Sequence, residues 1–437
     1  VLYHELSHVF EFNHSKKYYE IFNSKYPNAK KLNFMLKKIK LVNLFWNRIE
    51  RLNGGIEMKC ITNGRILLKD KILYGAVIIF DKKIEKIDKI ENIDLSSYEI
   101  IDAQGSFVAP GLIDMHIHGY LGADVSDGDI NALRLMCEGM VENGVTSWCP
   151  TTETVSKREI ETAFDTVRTV KAHTEYYGAR ILGINVEGPF INAAKKGGMA
   201  EEHILKPDAD FAYKHADIIK LITIAPEVDG ALEFIEKVKQ NTDIILSMGH
   251  TNATYEEAML GIEKGISHVT HLFNAMTGLS HRSPGAVGAA LLSDASVELI
   301  ADTFHVDKRL YNLVSRMKGS KVCLITDCVR AGGMPDGNYL SCGLTIHKEG
   351  IKCLLPDGTI AGSVLRLNEA VYNLYANSNL EIYEAVNCAS LNPATVLDED
   401  KEIGSIEVGK RADIIIADDK FNILKTILGG EIRYKGV

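Results

Sequence analysis

Eight short apolar runs, alternating with stretches of helical periodicity at a regular beat, constrain this chain more than any other feature. They are Gly111–Ile117, Val145–Pro150, Ile181–Val186, Ile218–Ile224, Ile244–Met248, His268–Leu272, Glu298–Ala301 and Val322–Thr326. Helical periodicity runs through Ile130–Glu142, Lys157–Lys171, Leu232–Lys239, Tyr255–Glu263, Lys308–Arg316 and Leu367–Ala376. Apolar strands alternating with helices specify parallel strands covered on both faces. Eight such units predict an α/β fold, a (β/α)8 barrel, over residues 108–384.

The flanks read differently. From Met58 to about Phe107 the chain runs in short β-type stretches, Cys60–Ile66, Ala76–Phe80 and Ile84–Ile87, with turns at Asn63-Gly64 and Asp81-Lys82-Lys83. Beyond the eighth strand, Tyr339–Thr345, Ile351–Leu355 and Thr359–Ile360 read as strands, Ile382–Asn387 as a helix, and Ile403–Ile416 as a turn-rich β return. Residues 58–107 hold too few strands to close a β-domain alone. Residues 385–437 are therefore expected to rejoin them in a small discontinuous β-sandwich.

Composition narrows the function. With 46% of its 437 residues hydrophobic and 24% charged, the chain can bury a large core. A net charge of −9 argues against nucleic acid as a partner, since phosphate backbones need a basic face. No apolar run is long enough to span a membrane, and no export signal opens the chain, so no membrane partner is expected. Eight scattered Cys without metal-like spacing fit a reduced chain in the cytoplasm.

Residues 1–57 stand apart, carrying ten Lys and Arg against five Asp and Glu, a charge of +5, against −14 on the remainder and −9 for the whole chain. They open with His4-Glu5-Leu6-Ser7-His8, an H-E-x-x-H that sets two His on one helix face with Glu5 as a base and His14 as a third ligand. The stretch resembles the tail of small zinc metallopeptidase-like proteins. Such a tail needs a sheet to hold the metal helix, and 57 residues bury too little to replace one. We expect a non-native or vestigial fragment, with a native start at Met58 after Gly54-Gly55-Ile56-Glu57.

In an eight-stranded barrel the C-terminal strand ends converge on one mouth. The first strand ends in Asp114-Met115-His116-Ile117-His118, where the period of two turns both His inward. Glu187 closes the third. His250, His271 and His305 follow the fifth, sixth and seventh, and Asp327 the eighth. Six strands thus place five of the 14 His and two carboxylates around one cavity, which predicts a metal centre. His173, His203, His215 and His347 fall on helices or loops and are expected at the surface. His268, three before His271, points to the opposite side of an extended strand and is expected to be structural.

The run Pro110-Gly111-Leu112-Ile113-Asp114-Met115-His116-Ile117-His118-Gly119 resembles the opening signature of the amidohydrolase superfamily. Asn185-Val186-Glu187-Gly188-Pro189-Phe190-Ile191-Asn192, Ser247-Met248-Gly249-His250-Thr251, His271-Leu272-Phe273-Asn274-Ala275-Met276, Thr326-Asp327 and Ala361-Gly362-Ser363 narrow the resemblance. Together they are similar to its amino-sugar-phosphate deacetylases, over essentially all of residues 58–437. The resemblance implies a divalent metal, Zn or Fe, held by Glu187, His250 and His271. His116 and His118 match a second site used by some members, so one or two ions are implied.

Asp327 matches the family's general base, which would take a proton from water and pass it to the departing amine. Arg282 matches a phosphate-binding Arg, Asn274 and Ala275 match contacts to the sugar phosphate, His305 a contact to the sugar hydroxyls, and Gly198 and Met199 positions facing substrate. The implied reaction is deacetylation of a small phosphorylated amino sugar by a homodimer. Met199 stands where the family has His or Gln, and Thr303 where Gly is common. Rival readings are hydrolysis of another amino-sugar phosphate or of a cyclic amide, and a non-catalytic barrel. Arg282 argues against the cyclic amide, and the intact ligands against loss of catalysis.

Overall fold

The computed structural model describes residues 58–174 and 177–436. The H-E-x-x-H segment, His14 and everything before Met58 lie outside the described residues.

The barrel forms from the expected eight strands. In order they are Leu112–Ile117, Val145–Thr152, Ile184–Phe190, Ile219–Ile224, Ile245–Met248, His268–Val269, Ser296–Ile300 and Val322–Ile325. Consecutive strands pair in parallel from the first to the eighth, as in Trp148 opposite Asp114 and Val297 opposite Val322. Most of their residues are buried on both faces, which is why they read as unbroken apolar runs. First and eighth strands meet at the mouth. There the Asp327 N–H donates to the His116 carbonyl at 2.9 Å, and the His118 N–H to the Cys328 carbonyl at 2.9 Å. Just below, Thr326 Oγ1 donates to Asp114 Oδ2 at 2.6 Å.

The outer helices follow their caps and apolar stripes. Lys157–Lys171 starts at Ser156, whose hydroxyl accepts the Glu159 N–H while Glu159 reaches back to the Ser156 amide. Its buried Ile160, Ala163, Phe164, Val167 and Val170 recur at helical spacing against the barrel. Tyr255–Lys264 uses the same device with Thr254 and Glu257.

The two ends of the described chain join as expected. A six-stranded sheet runs Glu431–Lys435, Ile423–Leu428, Ile414–Ala417, Phe107–Pro110, Arg65–Leu67, Ile72–Leu73, so C-terminal strands pair directly with N-terminal ones. A four-stranded sheet, Ile84–Lys89, Ala76–Phe80, Lys59–Thr62 and Glu99–Asp102, completes the sandwich. Ile61, Ile78, Phe80, Ile101, Val108, Ile414, Ile416 and Ile427 form its core.

Several expectations change. The third strand starts at Ile184, not Ile181, and the sixth stops at Val269, because the chain then turns through left-handed His271, Phe273 and Ala275. Tyr339–Thr345 is two strands, Gly337–Ser341 and Leu344–Glu349, split by a turn at Cys342 and Gly343 with φ of 45° and 80°. With Lys352–Leu354 they make a three-stranded flap after the eighth strand. His215 is not a surface residue but 2% exposed. The short helix Ala209–Lys214 packs it against Phe164 and Phe211, and Arg168 donates to its Nδ1 at 3.1 Å. Among the described residues, no helix is long and apolar enough to cross a membrane.

Candidate metal centre

The strand ends surround a cavity of about 380 Å³. His118, Glu187, His250, His271, His305 and Asp327 line it, together with Gly198, Met199, Asn274 and Ala275. His116 lies beneath, fully buried.

Glu187 organises the site, because each of its oxygens faces a different pair of imidazoles. Oε1 lies 3.0 Å from His250 Nε2 and 2.8 Å from His271 Nε2, and those two nitrogens are 3.0 Å apart. Oε2 lies 2.9 Å from His118 Nε2 and 3.5 Å from His116 Nε2, which are 3.3 Å apart. Asp327 Oδ1 completes the second set at 3.4 Å from His116 and 3.3 Å from His118. Two groups of donor atoms, each compact enough to surround one cation, therefore share Glu187.

Hydrogen bonds behind the rings fix which nitrogen faces inward. His250 Nδ1–H donates to the Lys195 carbonyl at 2.9 Å, and His116 Nδ1–H to Glu298 Oε2 at 2.8 Å. Each Nε2 is thereby left with its lone pair toward the centre, the arrangement metal-binding imidazoles use. Four Nε2 atoms and two carboxylates converging at these distances suit a divalent metal ion.

The electrostatics agree. Burial alone would make His116 and His118 harder to protonate, yet Glu298 and Glu187 beside the first, and Asp327 and Glu187 beside the second, hold both well above the ordinary imidazole value. His271 is raised in the same way by Glu187. Burial would raise the Glu187 carboxyl, but His116 and His250 hold it well below the carboxylate range. Asp327, also buried, is lowered by its hydrogen bond from His118 and the charge of His116. Such a set demands positive charge at its centre.

Backbone geometry shows what the placement costs. His250, His271 and Asp327 have φ of 46°, 28° and 51°, a region ordinary residues avoid. Thr303 is likewise at 68°, which explains why glycine suits that position. Its N–H donates to the Tyr311 hydroxyl at 2.8 Å. His305 is held through Nδ1 to Asp302 Oδ2 at 2.6 Å, while Asp302 Oδ1 accepts the amides of Phe304 and His305. Met199 is turned into the wall, its Sδ accepting the Thr154 N–H at 3.3 Å.

Arg282 is exposed and is not among the described residues that line the cavity. The Lys or Arg that does line it is Lys195, half-buried, whose ammonium has no ion-pair partner among the described residues. Sequence reasoning also missed Glu298, a buried carboxylate facing His116, His268 and His271. An acid inside the apolar run Ser296–Ile300 was the available signal. The His268 ring lies between Ser296 Oγ and Glu298 Oε1, whereas His271 meets Glu298 only through its backbone N–H and turns its ring to Glu187, which fits a structural part for His268.

The amidohydrolase family profile matches residues 107–433. N-acetylglucosamine-6-phosphate deacetylase of Bacillus subtilis (strain 168) is 38% identical over 371 residues, covering 83% of this chain and 93% of that protein. N-acetylgalactosamine-6-phosphate deacetylase of Escherichia coli O157:H7 is 33% identical over 352 residues, 79% of this chain and 92% of that one. The crystal structure of N-acetylglucosamine-6-phosphate deacetylase from Pasteurella multocida superimposes with a TM-score of 0.82 at 33% identity, over 87% of this chain and 100% of that one. With a family profile over most of its length and relatives and a solved structure alike over nearly their whole chains, the chain belongs to the amidohydrolase family, in its N-acetylglucosamine-6-phosphate deacetylase branch.

Proposed function

We propose that the protein hydrolyses the acetamide of N-acetyl-D-glucosamine 6-phosphate to D-glucosamine 6-phosphate and acetate, in amino-sugar catabolism and recycling. The observation that carries the reading is Asp327 Oδ1, 3.3 Å from His118 Nε2 at the edge of the donor set that shares Glu187, in a cavity sized for a small molecule.

An acetamide resists water at neutral pH, so the site must sharpen the nucleophile and stabilise the oxyanion. A divalent zinc or iron ion on Glu187, His250 and His271, with room for a second at His116 and His118, supplies that polarisation when bound. Asp327 does the proton work. Its lowered pKa keeps it ionised at neutral pH, so it accepts a proton as water attacks the carbonyl carbon. The same carboxyl returns the proton to nitrogen as the C–N bond breaks, which prevents the amine from leaving as an unstable anion.

His305, with Nδ1–H committed to Asp302, offers Nε2 as an acceptor for a sugar hydroxyl. Asn274, Ala275 and Gly198 supply the polar wall. Lys195 supplies the cation inside the cavity for the 6-phosphate, and Arg282 remains the outer one, reaching the phosphate from the rim or from a second copy in a homodimer. Eight free cysteines support a cytoplasmic setting.

The test is acetate release from purified, zinc- or iron-loaded protein supplied with N-acetylglucosamine 6-phosphate, its galacto epimer and both sugars without phosphate. Release from the phosphorylated gluco sugar above all others is the expected result. Preference for the galacto epimer would move the reading to the chemistry named by the E. coli relative, and indifference to phosphate would remove it.

A further inference from the structure

Glu298 sits in the middle of the seventh strand, fully buried between Val297 and Leu299, which are equally inaccessible. Burying a carboxylate there is costly unless its oxygens are occupied. They are. Oε2 accepts His116 Nδ1–H at 2.8 Å and the backbone N–H of His271 at 3.0 Å. Oε1 faces His268 Nε2 at 3.3 Å, and the other nitrogen of that ring meets Ser296 Oγ at 2.6 Å.

The two donor sets depend on this carboxylate unequally. For His116 it is the partner that assigns the ring proton to Nδ1 and turns Nε2 toward His118 and Glu187. For the other set it touches only the His271 amide, while His250 takes its orientation from the Lys195 carbonyl. Removing the charge of Glu298 should therefore disturb one set before the other.

We propose that Glu298 is a positioning residue that makes the His116–His118 set a second cation site, with His268 and Ser296 holding Glu298 in place. The inference rests on reading the cavity as a metal centre. It requires that occupancy of the second site, and not the first, follow the carboxylate. Partners of this kind behind a ligating histidine govern metal affinity by about 10- to 100-fold.

The experiment measures zinc stoichiometry and stepwise affinity by elemental analysis and chelator competition, in the wild type, Glu298→Gln, His268→Gln and, as a reference, His116→Ala. The wild type should hold two ions per chain. Glu298→Gln, which keeps the volume and removes the charge, should keep the first at wild-type affinity and weaken the second at least tenfold. His268→Gln should weaken the second ion in the same direction by less, and it decides the matter if Glu298→Gln does not fold. Two ions bound at wild-type affinities in the folded variants, equal weakening of both, or a wild type that binds fewer than two ions would each overturn the proposal. Acetate release is a separate readout: a chain that loads two ions in a Glu298-dependent way but releases no acetate refutes the deacetylase reading and leaves this one standing.

Discussion

In the terminal sandwich, Ile61, Ile78, Phe80, Val108, Ile414 and Ile416 meet in an apolar core. At the barrel mouth, equally buried strand ends bring His116, His118, His250 and His271 together with Glu187, Glu298 and Asp327. The sandwich core gains its stability chiefly from buried apolar area. The mouth gives stability up, through desolvated charge and left-handed backbone at three of its residues, in return for a fixed arrangement of donors. Chemistry is therefore expected at the barrel mouth, and the sandwich is expected to answer mutation only through folding.

The sharpest way to break that separation is Asp327→Asn. It should lower kcat by about 10²- to 10⁴-fold, the range for a positioned acid–base group, while the first ion and thermal stability are kept. Full activity in an acetate-release assay would take Asp327 out of the reaction. Phe80→Ala, in the sandwich core, is the converse: about 3–5 kcal/mol of unfolding free energy lost by denaturant titration, with kcat unchanged while the chain stays folded.

Acidity should divide the two regions next. His116, His118 and His271 titrate above their ordinary 6.5 in the ion-free chain, so the stability they contribute is present below that pH and lost as pH rises through their raised values. Glu187 and Asp327 act in the opposite sense, at lower pH. Stripping the metal should therefore lower the melting temperature more at pH 8 than at pH 6, where protons replace the cation. Thermal unfolding with and without a chelator at both values checks this, and an equal loss would mean that protons and metal do not compete. The smallest effect is expected from Lys195→Ala. KM for the phosphorylated sugar should rise about tenfold, as for a lost charged hydrogen bond, with KM for the unphosphorylated sugar unchanged.

The barrel was legible because parallel strands covered on both faces must be apolar throughout, and the regular beat of Leu112–Ile117 through Val322–Ile325 admits few other folds. The convergence of His116, His118, Glu187, His250, His271 and Asp327 was legible because strand ends in such a barrel share one mouth. His215 and the start of the third strand were not, since burial of a polar side chain depends on which helix later folds over it. Glu298 was passed over for a related reason: one acid in an apolar strand has no meaning until its opposite neighbours are known.

What the sequence determined by itself was the alternation of elements and the residue types at their ends, because both follow from local periodicity. What only the tertiary structure decided was how those residues share atoms. The division of Glu187 between two histidine pairs, the bond from His116 to Glu298 across 182 residues, and the choice of Lys195 over Arg282 inside the cavity all depend on closure of the barrel. Hydrogen bonds and charge pairs act over a few ångströms, and those distances exist only once distant strands are brought side by side.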